Sequence, residues 1–253
     1  MRPFLITLIL AMPLFVCAAF AGGIDTLYYA RVEPHVDDTG GYMKGPTVEV
    51  IYRIMKEAGN PLSPKALRFM PWGQALALAK TEKGKGIMTL IRTPEREKHF
   101  KWVGPIGHVS LGAWARISRH IEIASIQDLY EYRIAVVRHS ALDYDFLQEW
   151  DSTPERVERV NSPKTQLNML KEGRVDLVIL NAQNVRKLFL LQGLDPDAYE
   201  QVWTFVNSDF YLALNRDTDD ALVDALQAAL DRLKTRRPGQ SKSTFQWIYD
   251  SYQ

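Results

Sequence analysis

Apolar positions alternate or recur at helical spacing along most of the chain beyond residue 26, and glycine, proline and polar clusters punctuate them. Residues 27–30 (Leu27-Tyr28-Tyr29-Ala30) form an apolar run of strand length, followed by a polar, glycine-rich loop over 33–46. Val50, Ile51, Ile54 and Met55 repeat at helical spacing behind Thr47 as the expected cap, with Gly59-Asn60 as the stop. Residues 67–70 predict a second strand, 72–80 a second helix with an Ala/Leu face, and 87–91 a third, buried strand. Strand, helix, strand, helix, strand at this spacing predicts a parallel α/β sheet with right-handed crossovers.

The third strand leads into Thr93-Pro94-Glu95-Arg96, which reads as a helix start with Thr93 as cap, Pro94 at the first helical position and an acid in the first turn. A second apolar segment, 100–103, is expected to close at Gly104-Pro105. Residues 109–116 then run long enough to pass between two lobes. Beyond them the pattern predicts a capped short helix from Ser125, a buried strand over 133–137, an amphipathic helix over 142–150 and a short strand over 157–160. A helix starting at Ser162-Pro163, a strand over 175–180, a helix over 181–191 and a strand over 202–206 follow. Residues 207–214 read as a return crossing. A helix over 220–234 and a tail holding Phe245, Trp247, Ile248 and Tyr249 are expected to pack back on the first unit. The reading is therefore two α/β lobes joined by two crossings. Lobe 1 comprises 22–111 and 208–253, lobe 2 comprises 112–207, and a hinged cleft lies between them.

Composition adds a compartment. Met1-Arg2-Pro3, an uncharged apolar run from Phe4 to Phe20 and the close Ala19-Phe20-Ala21 have the three parts of a secretory signal peptide, 1–21, with cleavage expected after Ala21. A permanent membrane helix fits less well, because Pro13 interrupts the run and small residues end it. The only cysteine, Cys17, lies inside that segment, so the mature chain is expected to carry no disulfide and to rely on its core. The formal net charge is +1, and loss of Arg2 balances it. Nothing in that balance calls for nucleic acid or an anionic membrane surface. The expected product is a periplasmic, soluble protein and a monomer.

The candidate chemistry is a ligand cleft. Arg92 and Arg96 bracket a helix N-terminus that already carries unpaired N–H groups, so together they could hold an anion; the alternative is an ion pair of Arg96 with Glu95, Glu97 or a nearby acid. Tyr29, His35 and Trp72 fall on loops at the C-terminal ends of strands, where they could form an aromatic wall; core packing is the alternative for Tyr29 and Trp72. Trp102, Trp114 and Trp203 read as core or interlobe packing. The five histidines show no metal-ligand spacing, and Ser140 beside His139 is not a catalytic pair. No catalytic residue, metal or cofactor is expected.

Three stretches carry a resemblance: Gly41-Tyr42-Met43-Lys44-Gly45-Pro46-Thr47-Val48-Glu49-Val50, Thr93-Pro94-Glu95-Arg96, and Gly173-Arg174-Val175-Asp176-Leu177-Val178. In that order the chain resembles the family 3 bacterial extracellular solute-binding proteins, the polar-amino-acid type with the type II periplasmic-binding fold. The resemblance covers nearly the whole mature chain. It implies that Arg96 clamps a ligand carboxylate and that the turn His139-Ser140-Ala141 supplies backbone N–H groups from lobe 2. With Arg92, Tyr29 and Trp72 from the cleft reading and Thr89 and Asn181 beside them, the candidate ligand set is Arg96, Arg92, Tyr29, Trp72, Thr89, Ser140, His139 and Asn181, and the resemblance further implies an ABC permease or a membrane sensor as partner. Two departures bear on the ligand. Asn181 stands where amino-acid binders usually place an aspartate for the ligand ammonium, and the 88–91 run lacks the usual serines. Together with the second positive charge that Arg92 adds, they favour a small anionic or zwitterionic solute, a carboxylate among them. A periplasmic enzyme on the same fold, of the cyclohexadienyl dehydratase type, is the second reading, and its only nameable cleft candidates for proton transfer are Glu33, His35 and His139. A stand-alone ligand-sensing receptor is the third.

Overall fold

The computed structural model describes residues 23–30, 35–38, 43–138, 140, 143 and 156–252. The expected signal peptide and the helix expected over 142–150 lie outside them, apart from the single residue 143. Eight strands form one sheet in the order β2-β1-β3-β8-β4-β7-β5-β6. On one side of the central pair lie β1 (Thr26–Tyr29), β2 (Leu67–Phe69) and β3 (Lys85–Ile91). On the other lie β5 (Ile134–Val137), β6 (Val157–Val160) and β7 (Leu177–Asn181). Between them run two 17-residue strands, β4 (Phe100–Arg116) and β8 (Tyr199–Asn215), antiparallel to each other over nearly their whole length.

Strand alternation places a core on each face of each half. Leu27 and Tyr29 of β1 face α1 (Pro46–Glu57), α6 (Asp220–Lys234) and α7 (Thr244–Asp250), while Tyr28 and Ala30 face α2 (Trp72–Thr81). In the other half Leu177 and Ile179 of β7 join one core, and Val178 and Leu180 join another with α4 (Pro163–Lys171) and α5 (Val185–Leu191). The buried face of α6 is Leu222, Leu226, Ala229 and Leu230, one stripe at helical spacing, and the Asp219 side chain caps the helix by accepting from Ala221 N.

Several expectations are corrected. Gly45, not Thr47, is the N-cap of α1, because Pro46 takes the first helical position; Thr47 is buried, with its hydroxyl 3.1 Å from Tyr249 OH. Gly104-Pro105 does not end a strand. The pairing of β4 with β8 shifts register between Val103 and Gly107, and the Gly104 N–H donates instead to Gln227 Oε1 of α6 at 2.9 Å. A bulge of this kind lets a strand absorb a proline that cannot donate to the ladder. The segments 202–206 and 207–214 belong to one strand rather than two, and Asn181 ends β7 rather than opening a helix. Trp247 is 61% exposed, whereas Ile248 beside it is fully buried, so the tail packs through Ile248 and not through the tryptophan.

Candidate functional site

The strand ladders locate the site before any side chain does. The parallel strands β1, β2 and β3 end at Tyr29, Phe69 and Ile91, and Ile91 is level with Phe210 of β8. The parallel strands β5, β6 and β7 end at Val137, Val160 and Asn181, and Asn181 is level with Leu111 of β4, itself opposite Val206 of β8. Only Asn207, Ser208 and Asp209 of β8 separate those two levels. The C-terminal edges of both halves therefore face one another across a three-residue span of the long strands. In α/β sheets the crevice outside the C-terminal strand ends is where ligands bind.

Arg96 is presented at this edge by α3 (Pro94–Glu97), the single turn that follows β3. It is half-buried, and its Nη1 donates to the Ile91 carbonyl at 3.2 Å, which anchors the guanidinium beside the end of the strand. Arg92 is engaged differently. Its Nε and Nη2 donate to the two carboxylate oxygens of Glu97 at 2.7 and 2.5 Å, and its guanidinium lies 5.6 Å from the Trp102 ring centroid and 5.8 Å from that of Tyr211. The bond from Arg92 holds the Glu97 carboxyl below its ordinary range. Any ligand anion at Arg92 would have to compete with a carboxylate already in place. Arg92 lines a cavity of about 450 Å³ with His108, Asn207, Ser208, Asp209 and Tyr211. There His108 Nδ1 is 2.9 Å from Asp209 Oδ1 and Nε2 is 2.9 Å from Asn207 Oδ1, and those two bonds raise its pKa.

The other expected residues divide between the strand ends and the core. Tyr29 is 6% exposed and its hydroxyl donates to Asp38 Oδ2 at 2.9 Å. Thr89 is 6% exposed at the irregular register of β3, and its hydroxyl has no hydrogen-bond partner among the described residues. Trp72 takes the packing alternative: it is 3% exposed in the core between α2 and the sheet, with Tyr28, Ile87 and Leu90 in the same cluster. Ser140 follows β5, and its Oγ accepts from Asp143 N at 3.1 Å. Asn181 is 8% exposed and its Oδ1 accepts from Gln183 N at 3.1 Å, a turn that also serves Asn184 N through the Asn181 carbonyl. His139 lies outside the described residues. No group of three or more side chains suited to holding a metal ion occurs among the described residues.

His35, expected in an aromatic wall, is 2% exposed and sits edge-on to Phe210 with centroids 4.9 Å apart, while Tyr249 lies 5.9 Å away. Burial pushes its imidazole below the ordinary range, only partly offset by a 2.7 Å contact of Nε2 with Gln183 Oε1. Tyr249 OH donates in turn to the Ile106 carbonyl, so the last helix is tied to β4 beside the three-residue span. Gly107 makes that packing fit: a Cβ there would lie 2.2 Å from Phe210 Cζ and 2.5 Å from Tyr249 OH. Gln183, Phe210 and Gly107 were not legible as site residues. Each acts through a partner more than 70 residues away, and none belongs to a local motif.

The sequence matches no protein-family model and no curated protein. Solved structures match the fold over most of its length. An ancestral arginine-binding protein bound to arginine aligns with a TM-score of 0.67 at 18% identity, covering 90% of this chain and 98% of that one. The GluR0 ligand-binding core from Nostoc punctiforme in complex with (L)-glutamate aligns with a TM-score of 0.67 at 20% identity, covering 90% and 98%. A histidine kinase sensor domain with similarity to periplasmic binding proteins aligns with a TM-score of 0.66 at 17% identity, covering 90% and 95%. The chain thus has the two-lobed α/β fold of periplasmic-binding-like proteins, with two long strands as its crossings.

Proposed function

We propose that this chain is an exported solute-binding protein of the family 3 type that captures a small amino-acid-like or carboxylate solute between its two lobes. Lobe 1 is taken as 22–111 and 208–253 and lobe 2 as 112–207, with the divide at the span where Ile91 and Asn181 end the two sets of parallel strands. The observation that carries the proposal is the opposition of these two C-terminal edges, with the anchored guanidinium of Arg96 on one rim and the Ser140 and Asn181 turns on the other. A planar guanidinium meets a carboxylate through two parallel hydrogen bonds, and turn N–H groups from the opposite lobe add to it when the lobes close. Proteins of similar fold that bind arginine or glutamate support an amino-acid-like solute. The neutral side chain of Asn181 widens that to acids without an ammonium group.

The test is a thermal-shift screen of amino acids and small organic acids. A ligand at 100 times its Kd stabilises by about 2.7 kcal/mol, enough to read as a shift in Tm. Stabilisation by at least one carboxylate, without its turnover, is the expected result. Turnover would favour an enzyme of the dehydratase type, and no response to any carboxylate would overturn the proposal. The protein's partner in this role is an ABC permease to which the closed form delivers the solute. The likeness to a kinase sensor domain favours sensing as the second role, and co-purification with a permease rather than a sensor kinase separates them.

A further inference from the structure

The rim formed by β1, β2 and β3 changes character from one strand to the next. At the end of β3 stand Arg92, Thr93 and Arg96, with the Arg96 guanidinium bonded to the Ile91 carbonyl. Two strands away, β2 ends in Phe69 and runs on into Met70 and Pro71, an uncharged stretch that is exposed or half-buried throughout. Between them β1 ends in Tyr29, which is covered. Phe69 is 47% exposed and meets the Tyr29 ring edge-on at 5.9 Å, so the covered tyrosine backs the phenylalanine. Of the five large apolar side chains exposed among the described residues, Phe69 alone ends a parallel strand at this rim. Ile117 follows β4, Leu190 and Leu191 close α5, and Trp247 lies on α7. Trp72, expected to supply the aromatic wall, is in the core, so the aromatic surface at the end of β2 is that of Phe69.

We propose that Phe69 selects the solute by taking the apolar body of a carboxylate whose charge is held by Arg96, so that the class captured is aryl or branched-alkyl carboxylates rather than short polar acids. This rests on the solute-capture reading above and names the solute class for the same cleft. Strand spacing supports it. β1 pairs with β2 at Tyr29 and Phe69, and with β3 at Tyr28 and Ile87. Two strand spacings are about 10 Å, and Ile91 runs past the level of Phe69 by about 7 Å once the register shift in β3 is allowed for. The residue that anchors the guanidinium and the residue that carries the phenyl ring are therefore about 12 Å apart at the backbone. A hydrogen bond at one end takes up about 3 Å and apolar contact at the other about 4 Å. An acid of two or three carbons is too short to make both contacts, whereas a carboxylate that carries a ring or a branched chain reaches them together. Laying a charged end group on the uncharged stretch of Phe69, Met70 and Pro71 costs hydration, and an apolar body gains by leaving water there.

Titration calorimetry with propanoate and 3-phenylpropanoate, which differ by a single phenyl group, tests the assignment. The second is expected to bind at least about tenfold tighter than the first. Phe69→Ser should bring that ratio to within about twofold of unity, and Phe69→Leu should retain part of it. Phe69 closes a three-residue strand with its ring half exposed, so both variants should melt close to the parent without solute, and Phe69→Leu serves where Phe69→Ser does not fold. Equal affinity for the two acids would overturn the apolar class while leaving solute capture standing. Binding of neither, nor of any other carboxylate, would overturn both readings. A ratio unmoved by Phe69→Ser would remove Phe69 from selection, whether or not the variant loses a co-purifying membrane partner. A Phe69-dependent preference for L-arginine over 3-phenylpropanoate would also overturn the proposal, since the ring would then be a platform for a cation.

Discussion

Arg96 Nη1 donates to the carbonyl of Ile91, the last residue of β3, at 3.2 Å, so the guanidinium is held by the strand whose end forms one rim of the cleft. Arg96→Ala should abolish the thermal shift given by any carboxylate solute while leaving the fold intact, because the side chain is only half-buried. Arg96→Lys should restore little of it, since an ammonium cannot make the paired planar contact. A full shift in Arg96→Ala would remove the arginine from the binding role.

Arg92 and Glu97 are both about half exposed, at 45% and 47%, so their ion pair contributes little to stability. Glu97→Gln should change the unfolding free energy by less than about 1 kcal/mol. The same substitution frees the Arg92 guanidinium beside the cavity it lines with His108 and Asp209. Solutes with two carboxylates should gain affinity by titration calorimetry, whereas those with one should not.

Asn181 accepts from Gln183 N through Oδ1, and an aspartate would accept the same bond. Asn181→Asp should therefore keep the turn and supply the charge that an ammonium group needs. A charge-assisted hydrogen bond contributes about 1.5–3 kcal/mol, so affinity for α-amino acids should rise by roughly tenfold or more. Organic acids lacking the ammonium should weaken in the same titrations.

A methyl group on Gly107 would lie 2.2 Å from Phe210 Cζ, against a ring that packs on the buried His35. Overpacking of this kind typically costs about 1–3 kcal/mol. Gly107→Ala should lower the urea midpoint accordingly, and it should loosen the His35–Gln183 contact by displacing its support.

His108 has its pKa raised, first by the bond to Asp209 and then by that to Asn207. A raised pKa means that the pair stabilises the fold below the unfolded value near 6.5 and that the contribution disappears as pH rises through the folded value. Both side chains are partly exposed, so the effect is small. NMR titration of the His108 ring should give a midpoint above 6.5 that falls towards that value in Asp209→Asn.

What was legible in the sequence was what repeats locally. The helix expected over 220–234 is found over the same residues, because one face carries Leu222, Leu226 and Leu230 and Asp219 stands before it as a cap. Thr93-Pro94 also opens a helix where expected. The errors fall where a distant partner overrides the local signal. Gly104-Pro105 reads as a stop, yet Gln227, more than a hundred residues later, takes up the freed N–H and the strand continues. His35 reads as a loop residue open to solute, yet Phe210, Tyr249 and Gln183 enclose it. No spacing rule reports a contact across 148 positions.

The place of β8 also sets an order of assembly during synthesis. β1, β2 and β3 are made first and pair with one another, but the second edge of β3 is covered only by β8, and the core of that half closes only with α6 and α7 late in the chain. β5, β6 and β7 pair with one another over a contiguous stretch and can form earlier. The part of the chain that leaves the ribosome first is thus the last to finish folding, and until then it carries an open sheet edge for a chaperone to cover.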